Sequence, residues 1–222
     1  MKRDRTMKKN LARPGDHVGA YQIERFLGRG CEGDVFVASH RQTGSIRSLK
    51  LFRGRNMMAE VDMTADYFRR LANVATVKRL RGGGVVEGQP SIGARHFLVF
   101  DFIEGYRLDR RLHAISPNRL ALKLCEALLP VHRKGLAIGD FDYGRNVIVT
   151  AQMQRLVFCD LDIRALELDD TPSRTDLGEV RDLVLKAYRL QGRVPDRRIV
   201  AALNESTTVR EAAEWLRSIV LK

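Results

Sequence analysis

The chain has 222 residues, of which 44% are hydrophobic, and it carries a formal net charge of +12 at pH 7. This length is enough for one large domain or two lobes, and no apolar stretch approaches the roughly 18 residues of a membrane-spanning helix. The basic N-terminus lacks the apolar region of a secretory signal, and 3 cysteines without CxxC spacing argue against a zinc site or a disulfide scaffold, so we expect a soluble, cytoplasmic protein.

The first half of the chain has the pattern of a small sheet with one helix. Residues 1–19 are predicted to form a flexible basic tail that ends near Pro14 and Gly15. Short runs of β-forming residues from Tyr21 to Lys50, separated by glycine and by the turn TGS, predict a three-strand meander. Apolar residues at helical spacing in MMAEVDMTADYFRRLANV predict a helix. The segment RGGGVVEGQP is predicted to be a glycine-rich turn region, and RHFLVFDFIEG a strongly apolar strand.

After Gly105 the pattern becomes mostly helical. Ser116 and Pro117 predict the N-cap and first position of a helix, and its buried face carries Leu120, Leu124 and Leu128. The runs NVIVT and RLVFCD flank AQMQ and predict a hairpin. Two further helices are predicted, one from about Thr175 to Leu190 and one that starts near Thr208, where Glu211 completes a capping box.

The segment LGRGCEGDV places Gly28, Gly30 and Gly33 in G-x-G-x-x-G spacing. A dinucleotide-binding site would need a helix directly after these glycines, whereas GDVFVASH continues as a strand. A glycine turn between two strands is typical of a kinase-type phosphate lid. A plain glycine-rich hairpin is the alternative.

Lys50 lies in the following predicted strand. Because side chains alternate between the faces of a strand, Leu49 and Leu51 point to one face and Lys50 to the other. A lysine on the inner face of a small sheet needs an anionic partner, which can be a phosphate or a carboxylate of the next helix. Glu60 is the first candidate there, and the alternatives are Asp62 and Asp66. An exposed position at a sheet edge would need no partner.

These motifs resemble the eukaryotic-like protein kinase family in its compact bacterial form, and they are also similar to the lipopolysaccharide and RIO-type kinases. The resemblance implies an α+β, two-lobed protein-kinase-like fold. Its small, mainly β N-lobe with one helix would cover residues 20–103, and its reduced, mainly α C-lobe residues 104–222. It further implies ATP and Mg²⁺ as cofactors, with Phe100 as gatekeeper. The nucleotide-binding positions that it implies are Leu27, Gly28, Gly30, Gly33, Val35, Ser48, Lys50, Glu60, Asp101, Ile103 and Ile148, where Ser48 replaces a usual alanine and Asp101 and Ile103 act through their backbone.

The segment GDFDYGRNVIVTAQMQRLVFCDLD, residues 139 to 162, contains four aspartates and one asparagine. By the resemblance, Asp140 orients the attacking hydroxyl and accepts its proton, and Lys50 is the second catalytic residue. Asn146 and Asp160 would bind Mg²⁺, which prefers oxygen ligands. The roles of Asp142 and Asp162 are less defined.

The candidate catalytic loop departs from the family pattern. Ile138 and Gly139 stand where the family has histidine and arginine, so nothing receives an activation-loop phosphate and no such switch is expected. Asp140 and Asn146 are six residues apart, one more than in the family, so the loop bulges or Asp142 shares the role of base. Asp142 also takes the place of a lysine. Asp176 resembles the aspartate that caps the loop backbone, an ordinary helix N-cap being the alternative.

We therefore expect an ATP- and Mg²⁺-dependent kinase for a Ser or Thr hydroxyl of a protein substrate. The alternatives are a kinase for a lipopolysaccharide or small-molecule hydroxyl, and a nucleotide-binding pseudokinase that regulates a partner. The basic charge fits an anionic partner or a membrane surface, whereas a nucleic acid is not indicated because no aromatic-rich basic motif is present. Cys31 and Cys159 would border the nucleotide, where oxidation would block binding. A buried apolar role is the alternative for Cys159.

Overall fold

A computed structural model describes residues 11–54, 57–87, 92–150, 155–160 and 172–221. The chain divides into two compact units. The first runs to Arg69 and includes Arg79–Phe102, and the second consists of Arg70–Lys78 and the chain from Ile103 onward. No helix within the described ranges is long and apolar enough to cross a membrane.

The first unit is built on a six-stranded antiparallel sheet with strand order β1-β2-β3-β4-β6-β5. The predicted three-strand meander is confirmed as β2 to β4, and alternation along these strands sends one face into an apolar core that contains Ile23, Phe36, Leu49 and Leu51. The elements are β1 (His17–Val18), β2 (Tyr21–Arg29), β3 (Gly33–His40), β4 (Ile46–Phe52), α1 (Met58–Arg70), β5 (Leu80–Val86) and β6 (Arg95–Asp101).

Residues 11–18 belong to this unit, although the sequence predicted a tail up to residue 19. Ala12 and Val18 are buried in the core. The N–H of Gly15 donates to the Ile23 carbonyl at 2.8 Å, and the N–H of Leu11 donates to Asp34 at 3.0 Å. Main-chain hydrogen bonds hold the segment, and these leave no periodic pattern in the sequence.

The prediction of a glycine-rich turn is wrong for residues 80–86, because LRGGGVV forms strand β5 and pairs along β6. A Cβ atom at Gly83 would lie 2.6 Å from the Phe97 carbonyl oxygen and 2.7 Å from a methyl carbon of Leu98. The strand therefore needs glycine at this position. Its place at the edge of the sheet makes the weak strand propensity of glycine tolerable.

The second unit is mainly helical and carries a three-stranded sheet in the order β7-β8-β9. The helix with the Ser116 N-cap, the hairpin, and the last two predicted helices are confirmed, whereas the short α4 was not predicted. The elements are β7 (Tyr106–Arg107), α2 (Pro117–His132), β8 (Val147–Val149), β9 (Leu156–Phe158), α3 (Pro172–Leu190), α4 (Arg197–Glu205) and α5 (Val209–Val220), with 3-10 turns at Leu108–Arg110 and Asp142–Gly144.

Candidate active site

The three glycines between β2 and β3 differ in what surrounds them. A Cβ atom at Gly33 would lie 2.3 Å from the Leu51 carbonyl oxygen, so the fold itself requires glycine there. A Cβ atom at Gly28 would meet nothing within 4 Å, and one at Gly30 would meet only the Gly33 carbonyl oxygen, at 3.7 Å. Neither Gly28 nor Gly30 has a positive φ. These two glycines leave open space beside the backbone, as a site that a ligand approaches closely would do.

Asp34, directly after this turn, is the fully buried carboxylate of the first unit. It accepts hydrogen bonds from the Nε and Nη2 atoms of Arg29 at 3.0 and 3.2 Å, from the Leu11 N–H at 3.0 Å, and from Arg53. Burial alone would raise the pKa of Asp34, but the hydrogen bonds from Arg29, Leu11 and Arg53 outweigh it, so the pKa is lowered from 3.8. Sequence reasoning missed this ion-pair cluster, which ties the ends of β2 and β4 to β3.

Lys50 lies on β4 between β3 and β6, not at an edge, and only 8% of it is exposed. Leu49 and Leu51 are fully buried, as the predicted alternation requires. The Nζ atom of Lys50 lies 2.7 Å from Oε2 of Glu32, in the glycine turn. The sequence had predicted an acid of α1, first of all Glu60, which is exposed in the first turn of that helix. Glu32 was missed because the direction of a side chain in an irregular turn cannot be read from periodicity.

The predicted adenine-binding positions of the first unit lie near the end of β6. Ser48 is buried opposite Phe100 in the β4–β6 register, and its hydroxyl oxygen lies 3.5 Å from the Asp101 carbonyl oxygen. The Asp101 N–H already donates to the Arg79 carbonyl at 3.0 Å, so Asp101 can offer adenine only its carbonyl. Hydrogen bonds from Arg81 lower the pKa of the Asp101 carboxyl. Leu27 and Val35 are partly exposed on β2 and β3, as are Ile103 and Ile148 in the second unit.

The β8–β9 hairpin brings Asn146 and Asp160 to neighbouring positions. Val147 pairs with Phe158, so Asn146 lies opposite Cys159, whose N–H donates to the Asn146 carbonyl at 2.8 Å. The Nδ2 atom of Asn146 donates to Oδ2 of Asp140 at 3.3 Å. This hydrogen bond does not use Oδ1, the acceptor atom of the same amide. Within the described ranges no three His, Cys, Asp or Glu side chains cluster as a metal site. An amide oxygen and a carboxylate fit Mg²⁺, which takes its other ligands from phosphates and water.

The loop that carries Asp140 bulges, as its six-residue spacing predicted. Asp142 and Tyr143 both have left-handed backbones, with φ of 41° and 51°, which costs energy in non-glycine residues and is often found at functional sites. The Asp142 N–H donates to Oδ1 of Asp140 at 2.7 Å. Gly144 has φ of 92°, and a Cβ atom there would lie 3.0 Å from the Asp109 nitrogen. The bulge therefore orients the Asp140 carboxylate through main-chain contacts, and Asp142 takes part through its N–H.

Asp176 caps this loop from α3. It is fully buried and accepts hydrogen bonds from the N–H groups of Ile138 at 3.1 Å and Gly139 at 2.8 Å, while Nε2 of His132 lies 2.7 Å from its carboxylate. Because α3 begins at Pro172, Asp176 lies inside the helix and is not its N-cap. The sequence-based alternative of an ordinary N-cap is therefore wrong.

Glu179, one turn further along α3, was not predicted to belong to the site. Its Oε2 atom accepts a hydrogen bond from the Phe141 N–H at 3.1 Å. Burial raises the pKa of Glu179 above 4.5; the hydrogen bond from Phe141 opposes this, and the negative charges of Asp140, Asp182 and Asp176 add to it. The signal in the sequence was the i, i+3 spacing to Asp176, which places both acids on one face of the helix.

The two cysteines and Asp162 are the remaining residues that the sequence singled out. Burial raises the pKa of the Cys159 thiol to about 11, so the thiol stays protonated and unreactive at neutral pH. Cys31 is exposed in the glycine turn. Asp162 lies outside the described residues.

Comparisons with known proteins address the fold. No model of a protein family matches the chain. CBL-interacting protein kinase 4 of Oryza sativa subsp. japonica is 29% identical over 133 residues, which cover 55% of this chain but only 29% of that protein. The kinase domain of Mycobacterium tuberculosis PknI has a TM-score of 0.67 at 18% identity, covering 93% of this chain and 99% of that domain. A doubly substituted form of that domain reaches 0.70 at 18% identity, covering 94% and 99%. The chain therefore has the predicted α+β fold of a protein kinase domain.

Proposed function

We propose that the protein is an ATP- and Mg²⁺-dependent phosphotransferase that transfers the γ-phosphoryl group to a Ser or Thr hydroxyl of a protein. The observation that carries the proposal is the hydrogen-bonded set of Asp140 and Asn146 beside Asp160. Phosphoryl transfer needs an oriented carboxylate for the acceptor hydroxyl and oxygen ligands for a metal ion, and here a main-chain N–H and the Asn146 amide hold the Asp140 carboxylate. The kinase fold is the second support.

In the proposed reaction, Asp140 holds the acceptor hydroxyl and takes its proton. The hydroxyl oxygen forms a bond to the γ-phosphorus while the bond from this phosphorus to the bridging oxygen of ADP breaks. The proton then passes from Asp140 to solvent. Mg²⁺ bound by Oδ1 of Asn146 and by the Asp160 carboxylate would neutralise phosphate charge during the transfer.

The first unit would contribute the phosphate contacts. Lys50 is a nearly buried cation beside the glycine turn, and the open backbone at Gly28 and Gly30 leaves room for phosphate oxygens. In the proposed complex the ammonium group of Lys50, which contacts Glu32, would donate to a phosphate oxygen. Ser48 and the Asp101 carbonyl would line the adenine pocket.

The test is transfer of labelled phosphate from ATP to the protein itself and to acidic and basic acceptor proteins, with ATP binding measured in parallel by calorimetry. The Asp140→Asn variant should lose about 100-fold to 10,000-fold in rate, the usual contribution of a general base, while it still binds ATP. The Asp160→Asn variant should lose both transfer and Mg²⁺-dependent ATP binding. Glu214→Gln, a change at an exposed site on α5, is the matched control and should behave as the wild type.

The outcomes separate the alternatives. If the Asp140→Asn variant transferred phosphate at the wild-type rate, Asp140 would not be the catalytic base. ATP binding without transfer to any acceptor would favour a pseudokinase. A wild-type protein that binds no nucleotide would overturn the proposal altogether.

A further inference from the structure

One face of α3 follows the whole length of the candidate catalytic loop. Asp176, Glu179, Leu183 and Lys186 are spaced three, four and three residues apart, so their side chains lie along the same side of the helix. Each of the four contacts the loop between Ile138 and Gly144. The loop is therefore held along a single rigid element.

The hydrogen bonds to α3 lie on both sides of Asp140 in the chain. Before it, Asp176 accepts the N–H groups of Ile138 and Gly139, and after it, Glu179 accepts the N–H of Phe141 at 3.1 Å. The main chain on both sides of the candidate base is thus fixed to α3.

The far end of the loop is held by weaker contacts of the same helix face. Leu183 packs close to Gly144, since a Cβ atom on that glycine would lie 3.3 Å from a Leu183 methyl carbon. The Lys186 ammonium lies 5.1 Å from the centre of the Tyr143 ring. The left-handed turn at Asp142 and Tyr143 lies between these contacts and the Glu179 hydrogen bond.

A negative charge at position 179 is electrostatically unfavourable. It is only partly exposed, and it faces Asp140 of the loop and Asp176 and Asp182 of its own helix, all of them acids. Packing alone would favour a neutral side chain. What a carboxylate adds is a strong acceptor for the one N–H that directly follows Asp140.

We infer that Glu179 is a positioning residue, which orients Asp140 for catalysis by fixing the Phe141 N–H to α3. This inference rests on the proposed function. A glutamine at position 179 could still accept this hydrogen bond, whereas an alanine could not.

The kinetic test compares Glu179→Ala with Glu179→Gln in full-length protein. Glu179→Ala should lower kcat by between about tenfold and 100-fold, the effect expected when a reacting group is misplaced, while KM for ATP and the unfolding midpoint stay near the wild-type values. Glu179→Gln should retain most of kcat. Glu214→Ala makes the same substitution at an exposed site of α5 and should leave kcat unchanged.

A second measurement does not depend on activity. Amide hydrogen exchange followed by NMR should show the Phe141 N–H exchanging faster in Glu179→Ala by about threefold to tenfold, the effect of losing one such hydrogen bond, but not in Glu179→Gln. Unchanged exchange at Phe141 would overturn the inference, as would wild-type kcat in Glu179→Ala. The Phe141 N–H could exchange faster in Glu179→Ala while neither the wild type nor any variant transfers phosphate. In that case the proposed function fails, but Glu179 still fixes the Phe141 N–H to α3.

Discussion

Asp34 in the first unit and Glu179 in the second are both carboxylates withdrawn from solvent beside a loop, yet their surroundings are opposite. Asp34 is fully buried against two guanidinium groups, and its pKa is lowered. Glu179 accepts a main-chain N–H and has other acids as charged neighbours, and its pKa is raised. The first acid is paired with cations, whereas the charges that raise the pKa of the second, among the residues that the structure describes, are those of other acids.

The two surroundings suit two different roles of a carboxylate, one in stabilising the fold and one in the proposed reaction. Around Asp34 the two guanidinium groups more than balance the single carboxylate, and the cluster braces the glycine turn and its strands. Glu179 accepts a hydrogen bond from the Phe141 N–H, and Asp140 accepts from the Asp142 N–H and from Nδ2 of Asn146. These donors are uncharged, so they orient the carboxylates without neutralising them. A carboxylate that neutral donors orient keeps its negative charge, which the proposed reaction requires of Asp140.

The largest expected effect comes from breaking the compensated cluster. Asp34→Asn should lower the free energy of unfolding by about 3 kcal/mol, because removing one partner of a buried ion pair leaves the other charges unpaired. Urea denaturation followed by circular dichroism would measure it. Asp62→Asn, at an exposed site of α1, is the control and should change stability little.

The same cluster predicts a pH dependence. Since the pKa of Asp34 is lowered in the folded protein, its stabilisation is present above the unfolded value of 3.8 and is lost as the pH falls through the folded pKa. The stability difference between wild type and Asp34→Asn should therefore shrink in acid below that value. A difference that stays constant down the acid range would show that the lost stability has a steric cause.

A smaller effect is expected from the ion pair of the same unit that joins Lys50 to the half-exposed Glu32. The Glu32 side chain is 46% exposed, so Glu32→Gln should hardly change stability. It should tighten ATP binding by about 1 kcal/mol, or about fivefold in Kd, because one negative charge near the phosphates is removed. Calorimetric titration at low and high salt would measure this, and the gain should fall with salt. Weaker binding would instead mean that Glu32 is needed to orient Lys50, and Glu87→Gln would control for net charge.

How far the sequence predicted these two regions follows from the kind of contact in each. The second-unit loop was largely predictable, because Asp140, Asn146 and Asp160 are placed by a short spacing and by a hairpin with a clear pattern. Even the bulge followed from one surplus residue. In each case the sequence distance fixes the geometry directly.

The contacts that the sequence did not predict depend on side-chain directions or on partners distant in the chain. Glu32 contacts Lys50 from an irregular turn, and Asp34 pairs with Arg29 at the end of β2 and with Arg53 directly after β4. α4 was missed although Asp196 caps it, because nine residues give a periodic pattern little length in which to show. Hydrophobic periodicity reports a buried face, and it does not report which charges meet.

The smallest expected effect concerns the uncompensated acid. Because the pKa of Glu179 is raised in the folded protein, the stability that its protonated form contributes is present below the unfolded value of 4.5 and is lost as the pH rises through the folded pKa. Glu179→Gln keeps the acceptor for Phe141 and removes the charge. It should therefore be more stable than the wild type at pH 7, by less than about 1 kcal/mol, the usual range for partly exposed charges.

The sign of this effect is what makes the comparison testable. The advantage of Glu179→Gln should vanish below pH 4.5, because acid raises the stability of the wild type relative to this variant. Acid lowers the stability of the wild type relative to Asp34→Asn, so the two effects have opposite signs. Urea denaturation at the two pH values, with Glu214→Gln as an exposed control on α5, isolates the difference. A glutamine variant less stable at pH 7 than the wild type would show that the second unit does compensate this charge, and the contrast between the two units would then fail. A more stable variant that retains most of kcat would show that the hydrogen bond from Phe141, and not the negative charge of Glu179, orients Asp140.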